Sequence, residues 1–431
     1  MKVKFAHLAD CHLGAWRNEK LNNLGYFAFE TAINKIIEEK VDFVIISGDL
    51  FDVSNPKVDV IDLAVKELKK LRDHEIPVYG VMGSHDFSPS NKSMLRPLIT
   101  AGLFNDVSQG EKPEDNLILN FTLDQKTNIK LTGLRARKRS LEIEDYKILD
   151  KKNLEEEKGI KIFILHTMLN ELKPIEFKDM ESAPKSLLPS NFHYYAGGHL
   201  HKTVPTELRK EKTIIRISEK TKVIYPGALT PTNFRELEKY KYGGFCIVSG
   251  DINHNTQEAD FNVKFIPLKI KEIISIDFNC DNKTSIQVKN ILKEKIDSLN
   301  VKEKVVTLRI YGTLSSGKPY EIKTDEIIQL LRRKGAYEVL INKVALSSKE
   351  YTSIRVSIGK TNEEIENTLI YEHAQKIKIK DLNKKDLENK IHGLLSILGK
   401  EREEGTKVKD YDEELITNFK SIFQLSKDGG D

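Results

Sequence analysis

The sequence contains few cysteines, and they are far apart. Cys11, Cys246 and Cys280 are the three among 431 residues, and no CxxC pair occurs. This scarcity argues against a disulfide framework or a thiolate zinc site and favours a reducing compartment. Long apolar runs are missing too, because no run approaches the ~18 residues of a membrane span and Met1 is followed by a strand-like segment. We therefore expect a cytoplasmic protein with no membrane partner.

A strong excess of charge of one sign is also absent. Lys and Arg number 69 against 65 Asp and Glu, which leaves a formal net charge of +4. Attraction to a polyanion would therefore have to come from a local patch rather than from the whole molecule. The length suffices for roughly two to four domains, each with a core of its own.

Short runs rich in Val, Ile and Phe alternate with helical patterns from residue 1 to about 245. This alternation predicts a layered α/β domain. Segments 29–40 and 60–71 each place apolar residues on one helical face, so we interpret them as helices covering a sheet, with an interface role as the alternative. The predicted strands are 3–9, 43–48, 78–83, 129–134, 161–166 and 193–198.

The pattern restarts near residue 268, where a β-α-β-α-β order over 268–350 predicts a small second domain without an obvious catalytic cluster. Segment 351–382 is polar and is interpreted as a linker. Two amphipathic segments follow within 383–431, and they either dock on this chain or bind a partner, which we favour. Their apolar stripes comprise Leu387, Ile391, Leu394, Leu395 and Leu398, then Leu415, Ile416, Phe419, Ile422 and Phe423.

Histidines and aspartates occur directly after several predicted strands. Since groups beyond the carboxyl ends of strands in α/β sheets converge on one crevice, we expect these residues to meet in space. Each histidine taken singly is better explained as structural, but the clusters together indicate a metal centre. Imidazole plus carboxylate suits Mn²⁺, Fe²⁺ or Zn²⁺. The motifs are DxH (Asp10, His12), GD (Asp49), GSHD (83–86), His166 and GHxH (His199, His201).

In this order the motifs resemble those of the calcineurin-like metallophosphoesterases, DxH, GDxxD, GNHD/E, H and GHxH, across roughly residues 1–245. HLADCHLG, SGDLFD, GGHLHK and YPGALTPTNFRE (225–236) narrow the resemblance to the SbcD/Mre11 family, of archaeal or bacterial type. The resemblance implies a four-layer α/β/β/α nuclease domain at 1–267 and a small α/β capping domain that positions DNA at 268–350. After the linker 351–382, it implies that helices at 383–431 bind a Rad50-type SMC-like ATPase.

The same resemblance implies two Mn²⁺ ions per subunit, with Mg²⁺ or Fe²⁺ as alternatives. Catalytic His85 would assist the leaving oxygen and Asp86 would orient His85. Two positions depart from the family pattern: Ser84 stands where asparagine is usual, and Asp52 where archaeal and eukaryotic members often have histidine. The implied ligands are Asp10, His12, Asp49 and His201 for one ion and Asp49, Ser84, His166 and His199 for the other.

The implied function is Mn²⁺-dependent cleavage of DNA at double-strand breaks, as exonuclease on duplex ends and endonuclease on single strands or hairpins. The implied protein is nucleoid-associated and forms a homodimer through helices near 58–72 and 92–103. A small-nucleotide phosphodiesterase and a scaffold weakened at Ser84 are the alternatives. Basic runs, including 209–216, either contact DNA phosphates or form a solvated face. The candidate DNA contacts are Arg135, Arg137, Lys138 and Arg139.

Overall fold

The computed structural model describes residues 1–88, 93–114, 116–350, 366–367, 369–371, 374, 383–399 and 408–423. It contains two compact units, Met1–Ser348 and Lys349–Asp431. Most of the segment interpreted as a linker, 351–382, lies outside the described residues, and so does the side chain of Arg139.

The strands and helices are numbered in chain order. The strands are β1 (Lys2–Leu8), β2 (Phe43–Ser47), β3 (Val78–Val81), β4 (Asn105–Asp106), β5 (Gly110–Glu111), β6 (Ile118–Leu119), β7 (Thr122–Leu123), β8 (Lys130–Leu134), β9 (Lys161–His166), β10 (Tyr194–Gly198), β11 (Ile214–Arg216), β12 (Val223–Ile224), β13 (Gly243–Asn253), β14 (Glu258–Leu268), β15 (Ile273–Asn279), β16 (Val305–Leu314), β17 (Glu338–Asn342) and β18 (Leu346–Ser348). The helices are α1 (Glu19–Glu38), α2 (Val58–Asp73), α3 (Leu95–Thr100), α4 (Glu142–Lys147), α5 (Lys151–Glu156), α6 (Phe234–Tyr240), α7 (Ser285–Asp297), α8 (Thr324–Arg333), α9 (Lys384–Leu398) and α10 (Val408–Phe423).

Two sheets face each other in the first part of the chain. The seven-stranded sheet has the order β11-β14-β13-β1-β2-β3-β4, and the five-stranded sheet has the order β12-β10-β9-β8-β7. Strands β1 to β3 run parallel, as do β8, β9, β10 and β12, so each group ends at one edge of its sheet. The six predicted strands are confirmed. The long antiparallel hairpin β13–β14 was not predicted.

The side chains of β1 point alternately into two different cores. Phe5 points between the two sheets, where its ring lies 5.4 Å from that of Tyr194 in the other sheet. Leu8 belongs instead to the core under α1 and α2. Because successive side chains of a strand point to opposite faces, one strand contributes to two cores. His7 also joins the sheets, since its Nδ1 lies 2.9 Å from the Tyr194 hydroxyl.

Helices cover the outer faces of both sheets. α1 and α2 bury apolar residues such as Phe29 and Leu68 against the first sheet, which confirms the two predicted covering helices. α1 begins earlier than predicted because the Asn18 side chain accepts a hydrogen bond from Leu21 N and caps it. On the other side, Tyr146 of α4 and Leu154 of α5 pack with β9. The predicted four-layer α/β/β/α architecture is therefore confirmed.

A third sheet, β15-β16-β17 with β18 beside β16, forms the small domain together with α7 and α8. The order β-α-β-α-β agrees with the prediction, and a Thr284–Gln287 capping box starts α7. The small domain contacts α1 through Leu21, Leu24 and Val305. It also contacts α6, because the Arg309 guanidinium donates to the Glu238 carboxylate at 3.0 and 3.1 Å from Nε.

In the second unit, α9 and α10 contact each other. A Cβ added at Gly393 would lie 3.2 Å from Ile422 Cδ1, and the Lys390 ammonium lies 5.4 Å from the Phe423 ring centre. Other apolar residues of the predicted stripes remain open to solvent, with Leu398 61% and Ile416 55% exposed. Among the described helices, none combines the length and apolarity needed to cross a membrane.

Candidate metal centre

The carboxyl ends of the two facing sheets carry most of the predicted site residues. Asp10 and His12 follow β1, and Asp49 follows β2. From the other sheet, His166 ends β9, while His199 and His201 follow β10. The parallel strand order thus gathers side chains from positions 10 to 201 at one place, as groups beyond strand ends were expected to be.

His12 and His201 face each other with their Nε2 atoms 3.0 Å apart. The Nδ1 of His12 lies 3.1 Å from Asp52 Oδ1, and the Nδ1 of His201 lies 2.8 Å from Glu236 Oε1. A carboxylate only accepts, so each Nδ1 must carry the proton, and in a neutral ring each Nε2 then presents a lone pair. Two facing lone pairs cannot bond to each other. A cation between them, or a proton, is required, and carboxylate-supported imidazoles are typical metal ligands.

In His166, as in His12 and His201, the ring proton lies on Nδ1. The His166 Nδ1 lies 2.7 Å from the Ser47 carbonyl oxygen, which can only accept, so the proton resides on Nδ1. Its Nε2, 3.1 Å from Asp49 Oδ2, has no hydrogen-bond partner, nor has the buried Asp10 Oδ2. Buried polar atoms are nearly always satisfied, because leaving one unsatisfied costs about 1–3 kcal/mol. Two such atoms around Asp49 fit a site built for cations.

Asp49 is shared between the two sides of the centre. Its Oδ2 lies 3.6 Å from His12 Nε2 and 3.1 Å from His166 Nε2, while Oδ1 accepts a hydrogen bond from His85 N at 2.7 Å. Burial opposes ionisation, but attraction from His166 and His12 outweighs it and lowers the pKa of Asp49. The carboxylate is therefore charged and lies within reach of the imidazoles of both His12 and His166.

Burial and neighbouring charges shift the pKa values of three histidines of the centre in different directions. Burial disfavours the charged form of His166, yet Asp49 raises its pKa to about 10. In the same way burial is outweighed at His201, where the hydrogen bond to Glu236 raises the pKa to about 9. Burial and the charge on His166 lower the pKa of His199 to about 3. The surrounding carboxylates thus attract positive charge strongly, which also favours a divalent cation.

The backbone around the centre is strained. Asp10, His12, Asp49 and His199 have φ of 48°, 44°, 50° and 82°, in the left-handed region that residues other than glycine seldom adopt. Gly48 is also left-handed at 83°, and a Cβ there would lie 2.1 Å from His166 Nδ1. Strain of this kind persists at functional sites where the surrounding structure over-determines it. The two sheets hold these residues in place.

The turn after β3 carries His85, which is exposed at the edge of the centre. Its ring centre lies 4.8 Å from that of His12, and its Nδ1 donates to the Asp52 carbonyl oxygen at 2.6 Å. Asp86 instead accepts from Gly83 N at 2.8 Å and Phe51 N at 3.2 Å. The expectation that Asp86 orients the His85 ring is therefore corrected: Asp86 fixes the turn, and the Asp52 carbonyl holds the ring.

Ser84 lies half-buried between two residues that approach Asp49. A Cβ added at Gly83 would meet Asp49 Oδ1 at 2.2 Å, so only glycine fits there. On the other side, His85 N is bonded to the same oxygen. Both sequence neighbours of Ser84 thus approach the shared carboxylate.

Two residues that sequence reasoning left without a role support the histidines. Asp52 holds His12, and Glu236 holds His201 from the start of α6. Glu236 is itself fixed, because its Oε2 accepts from Thr232 N at 2.8 Å and its backbone N donates to the Asn233 cap. The signal was present in YPGALTPTNFRE (225–236), which ends at Glu236. Nothing in the sequence shows that this segment returns to His201.

The side chains of the basic runs form two groups: some bond to other parts of the chain, and others are exposed. Arg209 donates to the carbonyl oxygens of Tyr240 and Tyr242, and Arg216 pairs with Asp260 at 2.7 Å. These arginines of the run 209–216 therefore serve the fold rather than forming a free phosphate-binding patch. Arg137 likewise pairs with Asp145 at 3.2 Å. Arg135 and Lys138 are exposed, and both line a groove on the connection that follows β8.

This fold and this site define a metal-dependent phosphoesterase. Residues 3–203 match the family of calcineurin-like phosphoesterases. At 30% identity the chain is similar to the DNA double-strand break repair protein Mre11 of Methanocaldococcus jannaschii, covering 67% of this chain and 70% of that protein. The chain belongs to the Mre11 family.

Further relatives carry the same name. The Mre11 protein of Methanococcus maripaludis is 28% identical, with 69% of this chain and 73% of the relative covered. The Mre11 protein of Sulfolobus acidocaldarius is 26% identical, and the match covers 91% of this chain and 98% of the relative. The similarity therefore extends past the phosphoesterase region into the small domain and the terminal segment.

Proposed function

We propose that the protein is a Mn²⁺-dependent DNA nuclease that processes double-strand breaks, as exonuclease on duplex ends and endonuclease on single strands and hairpins. The observation that carries the proposal is the pair of buried, unpartnered atoms, Asp10 Oδ2 and His166 Nε2, around the shared Asp49 carboxylate. Such a site has the chemistry of a two-cation centre, and nitrogen and carboxylate ligands suit Mn²⁺.

The proposed ligands of the first ion are Asp10, His12, Asp49 and His201, and those of the second are Asp49, Ser84, His166 and His199. When bound, the cations supply positive charge that activates water and stabilises the phosphodiester as it is cleaved. The chain holds the ligands ready: Asp52 and Glu236 fix two imidazoles, and the Ser47 carbonyl fixes a third.

His85 supplies the proton step. It is exposed to the substrate side, and its Nδ1 is taken by the Asp52 carbonyl, so Nε2 is the atom that exchanges a proton. We assign it to protonation of the departing deoxyribose oxygen of the DNA strand, the role of a general acid. Asp86 keeps the turn that carries His85 in shape through the Gly83 and Phe51 amides.

DNA as the substrate is supported by the relatives, which are named DNA double-strand break repair proteins. The small domain at 268–350 is proposed to cap the nuclease domain at 1–267 and to position DNA. Its contacts with α1 and α6, through Leu21, Val305 and the Arg309–Glu238 pair, support a fixed placement beside the metal centre. We place the protein in the cytoplasm, associated with the nucleoid.

The terminal helices at 383–431 are proposed to bind a Rad50-type SMC-like ATPase. Support comes from apolar side chains that α9 and α10 leave exposed, namely Leu395, Leu398, Ile416 and Phe419. Exposed apolar clusters on helices are typical of partner sites. We also propose a homodimer formed through α2 and the segment 92–103.

The decisive experiment is a Mn²⁺ titration of cleavage on blunt duplex, hairpin, single-stranded DNA and a dinucleotide, beside a crystal grown in Mn²⁺. We expect metal-dependent cleavage of the DNA substrates and two anomalous peaks flanking Asp49. Hydrolysis of the dinucleotide alone would favour a small-nucleotide phosphodiesterase. Absence of cleavage together with binding of the ATPase would favour a scaffold, and either result would overturn the proposal.

A further inference from the structure

A groove of about 1160 Å³ begins beyond the turn that carries His85. Pockets for small molecules typically have volumes of about 300–1,000 Å³. The volume of this groove is larger, so it has room for a segment of a polymer. Phe87 lines it, directly after the His85–Asp86 turn, and Arg135 lines it directly after β8. The groove is therefore attached to the ends of β3 and β8, the neighbours of the strands β2 and β9 that lead to Asp49 and His166.

The register of the second sheet relates the groove to the metal centre. Leu134, the last residue of β8, pairs with Leu165 of β9, so Arg135 and His166 each follow one of two paired residues on neighbouring strands. From the first sheet, Met82 accepts a hydrogen bond from Ala136 N at 3.0 Å. A strand of substrate whose phosphate lay at the metals would thus have adjoining nucleotides at Arg135.

The groove has an apolar floor and a basic rim. Leucines form much of the floor, and one of them, Leu141, is 47% exposed. The Arg135 guanidinium lies over the Phe87 ring, 5.4 Å from its centre, with the arginine exposed and the ring buried beneath it. A planar guanidinium supported in this way presents its outer face to solvent, and such faces stack on nucleobases. The floor leucines are Leu117, Leu119, Leu134 and Leu141.

The charges of the rim favour an anion. Among the lining residues that the structure describes, four side chains are basic and two are acidic. Asp145 is occupied by Arg137 and Lys112, at 3.2 and 3.3 Å. Within the described part of the chain, Arg135 and Lys138 form no ion pair with a carboxylate. Their positive charge is therefore available to a ligand.

We propose that this groove binds unpaired nucleotides of the strand being cut, with one base stacked on the Arg135–Phe87 pair. The inference rests on the proposed nuclease function and names the substrate state that the site selects. Bases in a duplex are stacked and paired, so their faces cannot reach an apolar floor. A basic rim over apolar and π surfaces is the composition of sequence-tolerant single-strand sites.

The test uses full-length protein, Mn²⁺ and single-stranded oligonucleotides of one sequence, each with one abasic residue at a successive position. Wild type is expected to cut one of these strands on the order of tenfold more slowly, because stacking of one base is lost. Arg135→Ala should cut the intact strand slowly by a similar factor and no longer distinguish that abasic strand. Each rate is divided by the variant's own rate on bis(p-nitrophenyl) phosphate, which corrects for folding and metal loading.

Two variants separate stacking from charge. Arg135→Lys keeps the charge without the planar face, so it should keep salt-dependent binding but remain insensitive to the abasic position. Lys2→Ala is the matched loss of one charge at the opposite end of β1, and it should keep the wild-type abasic profile. If Arg135→Ala slowed cleavage of all strands by the same factor, or kept the wild-type abasic profile, this inference would be overturned while the proposed nuclease function would stand. If wild type hydrolysed the small diester and cut no DNA, the proposed function itself would fall.

Discussion

The metal centre and the groove beside it hold their side chains in opposite ways. At the centre, Asp10, Asp49 and His166 are buried and fixed by strained backbone and hydrogen bonds. In the groove, Arg135 and Lys138 are exposed on the connection that follows β8. The two regions nevertheless share one sheet edge. The comparison indicates that bond cleavage depends on preorganised groups, whereas the choice of substrate depends on adaptable ones.

If this division holds, substitutions at the centre and in the groove should differ in what they depend on. For a substitution at the centre, the loss of cleavage rate should depend on the leaving group and on the metal concentration. For a substitution in the groove, the loss of rate should depend on the presence of a base and on whether the DNA is single- or double-stranded. The leaving group is therefore varied for His85 by comparing DNA with bis(p-nitrophenyl) phosphate, and the Mn²⁺ concentration is varied for Glu236 and Ser84.

The largest effect is expected for His85→Asn. Loss of a general acid costs roughly 10²–10⁴-fold in rate, so DNA cleavage should nearly vanish while Mn²⁺ and DNA binding remain. The p-nitrophenolate ion leaves without needing a proton, so the loss on the small diester should be much smaller. Single-turnover cleavage of both substrates, with binding measured separately, gives the comparison. Near-normal DNA turnover, or equal losses on both substrates, would show that His85 has another role.

Glu236→Gln should have an intermediate effect. Outer partners of metal-bound histidines typically contribute 10–100-fold to metal affinity or activity, so His201 should bind its ion more weakly on all substrates. Glutamine still accepts from Thr232 N, which preserves the start of α6. The Mn²⁺ concentration for half-maximal activity should rise, and excess Mn²⁺ should restore the rate.

The matched control for Glu236→Gln is Thr284→Ala at the start of α7, because Asn233 itself donates to Glu236 Oε1 at 2.7 Å. Thr284→Ala removes a helix cap, at a cost of about 0.5–2 kcal/mol in stability, and leaves Glu236 and its partners in place. We expect the Tm to fall with the Mn²⁺ dependence unchanged. Equal shifts in Mn²⁺ dependence for both variants would assign the effect to a general loss of stability rather than to the bond with His201.

Glu236 also shows where sequence reasoning stops. The DxH, GD and GHxH motifs predicted the centre because side chains at the ends of parallel strands must converge, and apolar periodicity predicted the covering helices. Glu236 comes from a helix after several irregular turns, and only the folded chain brings it to His201. The same limit applies to arginines: Arg209 and Arg135 both stand in basic runs, yet their partners, the Tyr240 carbonyl and the Phe87 ring, are distant in sequence.

Ser84→Asn should give the smallest effect. It tests whether the side chain at position 84 is a ligand of the proposed second ion. The serine hydroxyl is shorter than an asparagine amide, whose carbonyl oxygen reaches further and is a better ligand for a divalent cation. We expect the Mn²⁺ concentration for half-maximal activity to fall by roughly fivefold, equivalent to about 1 kcal/mol, with the abasic profile of the groove unchanged. Ser84→Ala is the control for the hydroxyl itself and should shift the titration the other way. An identical Mn²⁺ dependence in wild type and Ser84→Asn would mean that the serine, or a water it holds, already completes the site.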